Sequence, residues 1–308
     1  MTQQRLYLRL PATSANLGPG FDALALALSL HLEIKATAAK TYSIYATGRN
    51  AGICGALEQN LLLHTYKSVL EANGVIPPPL ALEVNNGIPL GMGCGSSAAT
   101  RLAGVALAAH FGGLDWNRNQ VLTEASRLEG HPDNTSACWL GGFTVACERD
   151  NEVEAISLTP RSLWQALVVM PTNPLPTPLS RKVIPTSFTR SDVVFNLQRV
   201  ALLTAAFATG HGELLRTAVE DRIHQPYRVD VCPLLKKLLP ISGMEDILSV
   251  TLSGAGPSVL VLVQAGVNTA AAKELVRAHA GDEKIEILEC HLEMNPALCR
   301  AESISATL

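Results

Sequence analysis

The chain has 308 residues, of which 47% are hydrophobic and 17% charged, a balance typical of a globular protein with well-buried cores. This length is more than one compact core usually supports, and it predicts two domains. The net charge of −3 and the scattered basic residues argue against a nucleic-acid partner, because no broad basic field is present to attract a phosphate backbone.

No apolar run reaches the roughly 18 residues that a membrane span needs. The N-terminus leads directly into a strand-like segment at 6–10, without the apolar region of a signal peptide, so we expect a cytoplasmic protein without a membrane partner. The seven cysteines are widely spaced, with no Cys-x-x-Cys pair. They predict free, mostly buried thiols and no structural metal.

Strand and helix patterns follow one another irregularly along the chain. In the first half we predict the following elements: strands at 6–10, 30–36 and 80–84, and helices at 61–73 and 96–110. In the second half we predict these: strands at 166–170, 247–252, 258–263 and 285–290, a helix capped by Ser191 and Asp192 that runs to 209, and a helix capped by Asn268 that runs to 280.

A polar stretch at 148–154 followed by Pro160 indicates a boundary, which divides the chain into predicted domains 1–160 and 161–308. Because strands and helices mix without regular βαβ alternation, the predicted fold class is α+β rather than a doubly wound sheet.

The most informative segment is the glycine-rich stretch at 89–100, PLGMGCGSSAAT. Its alternate glycines allow a tight backbone, and they lead into a helix whose first N–H groups have no helical partner. With the helix dipole and the hydroxyls of Ser96 and Ser97, this pattern indicates a cradle for a phosphate or its Mg²⁺. A serine-capped structural turn is the alternative. The Lys of a Walker A loop and the last Gly of a dinucleotide fingerprint are both missing.

Two further segments place polar side chains in tight turns. The loop PATSANLGPGFD follows the first predicted strand and projects Asn16 and Asp22. The segment LEGHPDN at 128–134 holds two carboxylates, an imidazole and an amide, and its Glu129 is placed to bind the metal of a Mg·nucleotide. Each segment alone is explained about as well by an ordinary turn.

A fourth segment, TLSGAGPS at 251–258, lies between two apolar strands. A hairpin turn is the default explanation for it. Its Gly254 and Gly256 could equally bring backbone N–H groups to a phosphate.

In this order and spacing, the four segments resemble the homoserine kinase branch of the GHMP kinases. The resemblance covers about residues 5–265 and includes the phrases DVVFNLQR at 192–199 and HQPYR at 224–228. It implies an N-terminal domain like ribosomal protein S5, a ferredoxin-like C-terminal domain, and an active site in the cleft between them. It also implies transfer of the γ-phosphoryl group of ATP, with Mg²⁺, to the side-chain hydroxyl of L-homoserine.

The resemblance further implies the nucleotide site. Ser97 and Glu129 would hold Mg²⁺, Asn60 would border the adenine, and Thr177 would contact the γ-phosphate. The implied nucleotide-binding residues are Asn60, Pro89, Gly91, Gly93, Gly95, Ser96, Ser97, Thr177, Gly254 and Gly256.

For the amino acid, the resemblance places Asn16 and Asp22 near the ammonium group, and His131, Arg181 and Arg228 near the carboxylate. Because a buried zwitterion needs partners for both charges, and guanidinium groups bind carboxylates bidentately, this set is physically coherent. Without the motif context, the two arginines would be interpreted as solvated surface charges.

The implied catalytic residues are Asn134, Glu129 and Ser97. Some GHMP kinases, such as mevalonate kinase, are thought to use an Asp as general base. Homoserine kinases are described as lacking it, with Asn134 here beside the attacking hydroxyl. Asp133 is the alternative base, and we expect it to brace the loop instead. A loose transition state allows this, because positioning and charge neutralisation matter more than early deprotonation.

The sequence departs from the family pattern at Cys94, where Leu is usual, at Thr135 and Ser136, and after Arg228, where the usual Pro-Gly is missing. Because the missing Pro-Gly would directly follow Arg228, this departure affects where the side chain of Arg228 is expected to lie. Two other functions stay open, another GHMP kinase such as mevalonate kinase and a catalytically inactive GHMP-fold binding protein. A homodimer is also left open.

Overall fold

The computed structural model describes residues 3–162 and 164–304. In these residues the chain forms eleven strands: β1 (Gln3–Asn16), β2 (Gly20–Ala38), β3 (Ser43–Gly48), β4 (Leu80–Asn86), β5 (Phe143–Arg149), β6 (Glu152–Leu158), β7 (Gln165–Pro171), β8 (Ile247–Leu252), β9 (Val259–Val263), β10 (Ile285–His291) and β11 (Leu298–Ile304). The same residues form eleven α-helices: α1 (Ala51–Cys54), α2 (Leu61–Ala72), α3 (Ser96–Phe111), α4 (Arg118–Glu129), α5 (Asp133–Leu140), α6 (Thr177–Lys182), α7 (Arg190–Thr209), α8 (Leu215–Ala218), α9 (Gln225–Arg228), α10 (Pro233–Leu238) and α11 (Ala270–Ala280). Two short 3-10 helices lie at Gly212–Leu214 and Leu239–Ile241.

The larger sheet is built around β2, which pairs with β1 along one edge. Its other edge pairs with β5 at residues 24–26 and with β4 at residues 32–38. The strand order is β11-β1-β2-β4-β3, and β6 is added to β5. β3 and β4 run parallel, and the other pairs named here are antiparallel.

Residue types alternate along the strands of this sheet, so one face is apolar. In β1, Leu6, Leu8 and Leu10 are buried, whereas Arg9 is exposed. Helices α3 and α5 pack against β1 and β2, and α2 and α4 lie beside α3. Small residues let α3 approach its neighbours closely; a Cβ on Gly104 would collide with Thr65 of α2. This close contact fixes the middle of α3 against α2.

The smaller sheet has the order β10-β7-β9-β8 and is antiparallel throughout. Its central strands bury both faces. Leu167 and Val169 of β7 join a core with α10 and α11, whereas Ala166 and Val168 join the core of the larger sheet. Burial on both sides explains why β9 is the continuous apolar run Val259–Val263.

The α+β class is confirmed, and the predicted elements differ from the structure mainly at their ends. β1 ends at Asn16 and β2 begins at Gly20, so both strands extend into the predicted loop at 11–22, well beyond the predicted 6–10 and 30–36. α7 begins at Arg190, because Thr189 Oγ1 accepts from Asp192 N and serves as the N-cap in place of Ser191. At α11, Thr269 directly precedes the helix but makes no side-chain cap bond, and Asn268 Oδ1 accepts from Ala270 N at 2.9 Å, so the predicted cap by Asn268 is confirmed.

The end of the described chain returns to the larger sheet, where β11 pairs with β1. The predicted domain boundary at residue 160 stays a prediction. β11 belongs to the predicted domain 161–308, but it pairs with β1 in the larger sheet. Among the helices in the described residues, none is both long and apolar enough to cross a membrane.

The two sheets meet at the end of β1. Ser253, which follows β8, has its Oγ 2.9 Å from Ser14 Oγ and 2.8 Å from Gly93 O. Gly254 N donates to Ala15 O at 3.1 Å. These contacts hold the turn after β8 against the glycine-rich loop that precedes α3.

Candidate active site

A cavity of about 210 Å³ lies where the loops of the two sheets meet. All four segments singled out in the sequence contribute to its walls, together with α6 and the end of α9. The lining includes most of the predicted site residues: Asn16, Asp22, Gly91, Gly93, Gly95, Ser96, Ser97, Glu129, His131, Asn134, Thr177, Arg181, Arg228 and Gly254. Residues far apart in the chain therefore form one site.

The glycine loop, residues 91–95 before α3, has the backbone conformation that its sequence predicts. Gly91, Gly93 and Gly95 have φ of 70°, 75° and 70°, in the left-handed region that favours glycine. A Cβ at Gly95 would also collide with Thr13 Oγ1. Gly95 is the N-cap of α3, so the unpaired N–H groups of the first helical turn follow directly. The loop offers the curvature and the donors that a phosphate needs.

Glu129, the last residue of α4, is held by two side chains of α3. Ser97 Oγ and Arg101 Nε each donate to Glu129 Oε2 at 2.8 Å. Ser97 and Arg101 share one helix face because they are one turn apart. A hydroxyl beside a carboxylate is a pair of oxygen ligands of the kind that Mg²⁺ prefers.

Asn134, in the first turn of α5, belongs to a buried network. Thr13 Oγ1 donates to Asn134 Oδ1 at 2.6 Å. Asp133 Oδ1 accepts from His131 Nδ1 at 2.6 Å, from Asn134 N at 2.6 Å and from Asn134 Nδ2 at 3.2 Å. Because three donors already use this oxygen, Asp133 braces the loop.

His131 carries a raised pKa. Burial lowers the pKa of His131, but the hydrogen bond and charge of Asp133 outweigh that effect, so it lies above its ordinary value. Potential ligand atoms of Asp22, His131 and Asp133 lie within 4.8 Å of one another. The hydrogen bond between His131 Nδ1 and Asp133 Oδ1, at 2.6 Å, accounts for part of this proximity.

Asp22 and Arg181 form a bidentate ion pair at the mouth of the cavity. Arg181 Nη1 donates to Asp22 Oδ2 at 3.1 Å, and Nη2 donates to Oδ1 at 2.6 Å. Asn16 Oδ1 accepts from Asp22 N at 3.0 Å, and Asn16 Nδ2 donates to Gly254 O at 2.9 Å. Asn16 therefore shapes the loop that carries Asp22, and its contact with a substrate stays a prediction.

Arg228 is fully buried, so it is not the solvated surface charge that the sequence alone allowed. Its Nε donates to Ser180 O at 3.2 Å, and its Nη1 lies 3.2 Å from Gly254 O and 3.1 Å from His224 Nδ1. Its Nη2 has no hydrogen-bond partner among the described residues. Burial, and then the charge of Arg181, lower the pKa of Arg228 to about 10.

His224 holds Arg228 in this place. Its Nε2 lies 2.7 Å from Gly18 O, which only accepts, so Nε2 carries the proton and Nδ1 accepts from Arg228. Burial lowers the pKa of His224 and favours this neutral form. The ring also stacks on Phe21, with 5.3 Å between the centroids. Arg228 therefore reaches the cavity despite the departure from the family pattern after it.

A second cavity of about 270 Å³ shares Ser96 and Ser97 with the first. Most of its walls are apolar: Leu32, Ile34, Ile53, Leu61, Leu62, Val84 and Leu90. Asn60 also lines it, but its amide caps α2 by accepting from Leu63 N at 3.2 Å and donates to Cys54 O at 3.1 Å. An apolar cavity beside the glycine loop suits an adenine, with Asn60 supporting its wall.

Three of the predicted nucleotide-binding residues differ from the others in their position or in their hydrogen bonds. Pro89 lines a separate cavity of about 370 Å³. Gly254 N donates to Ala15 O at 3.1 Å, and Gly256 N donates to Ser253 O at 2.8 Å. Because both amides have backbone partners, this arrangement gives no support to the prediction that they bind a phosphate.

The sequence interpretation missed Thr13, Arg101 and His224. Arg101 and His224 carried a signal, because each lies four residues from a predicted site residue in a helical segment. Thr13 had none beyond its place in the loop motif, since its contact with Asn134 spans 121 positions.

The chain resembles known homoserine kinases over most of its length. The GHMP kinases N terminal domain matches residues 60–142. A homoserine kinase from Solibacter usitatus is 44% identical over 84% of this chain and 86% of its own.

Two solved structures are also similar. The homoserine kinase from Cytophaga hutchinsonii covers 96% of this chain and 97% of its own, with a TM-score of 0.78 and 24% identity, and it shows the fold. A putative homoserine kinase from Listeria monocytogenes covers 96% of this chain and 99% of its own, with a TM-score of 0.76 and 26% identity. With this likeness and the cavity described above, the chain belongs to the homoserine kinase family of the GHMP kinases.

Proposed function

We propose that this chain transfers the γ-phosphoryl group of ATP to the side-chain hydroxyl of L-homoserine, forming O-phospho-L-homoserine and ADP. Its homoserine kinase relatives support this reaction. Threonine biosynthesis in the cytoplasm is the proposed setting, and the seven free cysteines suit a reducing compartment.

The observation that carries the proposal is Arg228, which is fully buried, lines the cavity and has an Nη2 without a partner among the described residues. A buried guanidinium group with an unused donor favours a small anion. The carboxylate of an amino acid supplies this anion, and Arg181 offers a second guanidinium group on the same cavity.

The ammonium group of an amino acid needs a negative partner as well. Asp22 pairs with Arg181 but is 32% exposed at the cavity mouth, so one of its oxygens can also accept from an ammonium group. A substrate with both charges then fits between Asp22 and the two arginines. Mevalonate has a carboxylate but no ammonium group, so this arrangement favours homoserine over it.

The glycine loop and Thr177 are assigned to the phosphates of ATP, because they line the same cavity as the amino-acid residues. Ser97 and Glu129 are assigned to Mg²⁺, since their side-chain oxygens lie 2.8 Å apart at the start of α3. When bound there, Mg²⁺ would neutralise charge on the phosphate oxygens.

Asn134 is assigned to the substrate hydroxyl. It lies on the cavity between the glycine loop and the charged residues, and it is held by Thr13 and Asp133. Asp133 is assigned to bracing the loop, since its Oδ1 accepts three hydrogen bonds from His131 and Asn134. Positioning by Asn134 suffices for a loose transition state, in which the hydroxyl proton leaves late.

The test is the rate of ADP formation from Mg·ATP with L-homoserine, L-threonine, mevalonate and shikimate. We expect L-homoserine to give the highest kcat/KM. Turnover of mevalonate without turnover of homoserine would refute the proposal. If none of the alcohols reacts, and Mg·ATP gives no rise in melting temperature, the inactive binding protein is the better account.

A further inference from the structure

Thr13 connects the glycine loop to Asn134, the residue assigned to the substrate hydroxyl. It is fully buried in β1. Its backbone N–H donates to Cys94 O at 3.0 Å, and its Oγ1 donates to Asn134 Oδ1 at 2.6 Å. Gly95 packs so closely that any Cβ there would collide with Thr13 Oγ1. The hydroxyl is therefore fixed between the glycine loop and α5.

The partners of Asn134 determine which way its amide points. Oδ1 faces the hydroxyl of Thr13, and Nδ2 donates to Asp133 Oδ1 at 3.2 Å. The reversed amide would bring Oδ1 against the Asp133 carboxylate, so that two acceptors would face each other. Asp133 thus selects one orientation, and the hydrogen bond from the Thr13 hydroxyl holds the amide in it, whereas an unrestrained Asn rotates broadly about its last side-chain bond.

We infer that Thr13 is a positioning residue for phosphoryl transfer, since its hydroxyl holds the Asn134 amide in the orientation that meets the substrate hydroxyl. Thr13 is not among the residues that line the cavity, so it acts through Asn134. The inference rests on the proposed function and on the assignment of Asn134 to the hydroxyl.

The first variant is Thr13→Val, which keeps the side-chain shape and removes the donor. We expect kcat for homoserine to fall about 10-fold, with KM for homoserine and for ATP within about twofold of wild type, because only the alignment of the reacting groups is lost. Thr13→Ser, which keeps the hydroxyl, should recover most of the lost kcat. If Thr13→Val does not fold, Thr13→Ala gives the same comparison with Thr13→Ser.

The second measurement separates positioning from stability. On an Asn134→Ala background, Thr13→Val should cause no further fall in kcat, because the amide that it orients is gone. Thr144→Val is the matched control. Thr144 is also fully buried, and its Oγ1 lies 3.4 Å from Ala25 O in the sheet. This control should lower the melting temperature without changing kcat.

Independent losses that multiply in the double variant would overturn the inference, as would a wild-type kcat in Thr13→Val when Asn134→Ala is impaired. A wild-type kcat in Asn134→Ala would overturn the assignment of Asn134 and the inference with it. Failure of the wild-type protein to phosphorylate homoserine would instead refute the proposed function, so the two failures are distinguishable.

Discussion

At the scale of single residues, Arg181 offers the most direct test of substrate recognition. Arg181→Met removes one of the two guanidinium groups proposed to bind the carboxylate, and it leaves Asp22 without its bidentate partner. We expect KM for homoserine to rise about 10-fold to 100-fold, while KM for ATP stays nearly constant. Steady-state kinetics with each substrate varied in turn measures both constants.

The control for Arg181→Met is Arg127→Met. Arg127 makes a bidentate pair with Glu124 on the surface of α4, with both distances 2.8 Å. Loss of that exposed pair should leave both KM values unchanged. Equal effects of the two variants on KM would contradict the assignment of Arg181.

Glu129 tests the proposed metal site. Glu129→Gln keeps an oxygen that can accept from Ser97 and Arg101 but removes the charge that would bind Mg²⁺. We expect the affinity for Mn²⁺·ATP, measured by calorimetry, to fall about 10-fold or more, because ligand charge sets the affinity of such sites. Glu124→Gln on the same helix should leave the affinity unchanged. An unchanged affinity in Glu129→Gln would place the metal elsewhere.

At the scale of elements, the glycine loop depends on both its conformation and its packing. Gly95→Ala would be strained at a φ of 70° and would collide with Thr13 Oγ1. We expect it to lower the free energy of unfolding by about 2–4 kcal/mol and to weaken ATP binding. Urea unfolding and nucleotide titration are the measurements.

Gly113→Ala is the matched control, because Gly113 has a similar φ of 64° but a Cβ added there would meet nothing within 4 Å. It should cost only about 1 kcal/mol of unfolding free energy and leave ATP binding unchanged. If Gly95→Ala lowers the free energy of unfolding by no more than Gly113→Ala does, packing against Thr13 contributes little to stability.

The elements also indicate which local signals predict structure. The helix α3 and the strand β9 follow from runs of apolar residues bounded by glycine or turn residues. α4 was not predicted, although its N-terminus carries a capping box in which Asn117 and Gln120 satisfy each other's backbone N–H groups. β1 extends to Asn16 because small residues continue its pairing with β2, which a search for bulky strand residues does not detect.

At the scale of the whole molecule, the sequence predicted the fold class and most of the cavity lining through ordered motifs. It could not predict contacts that depend on how distant segments meet. Arg228 is buried between α6, the turn after β8 and His224, which itself contacts Gly18, and no local pattern distinguishes it from a surface arginine. The pairing of β11 with β1 joins the two ends of the described chain, and it was likewise hidden from local signals.

At the junction between the sheets, the backbone N–H groups proposed to bind the phosphates and the charged side chains proposed to bind the amino acid line one cavity. The choice of substrate follows from these charged side chains. The most direct test compares kcat/KM for L-homoserine with that for L-homoserine amide, which has the same hydroxyl and ammonium group but no carboxylate. We predict a preference for L-homoserine of about 100-fold or more, since an amide leaves the buried Arg228 without an anion. Equal kcat/KM values for the two compounds, or turnover of neither, would contradict the account.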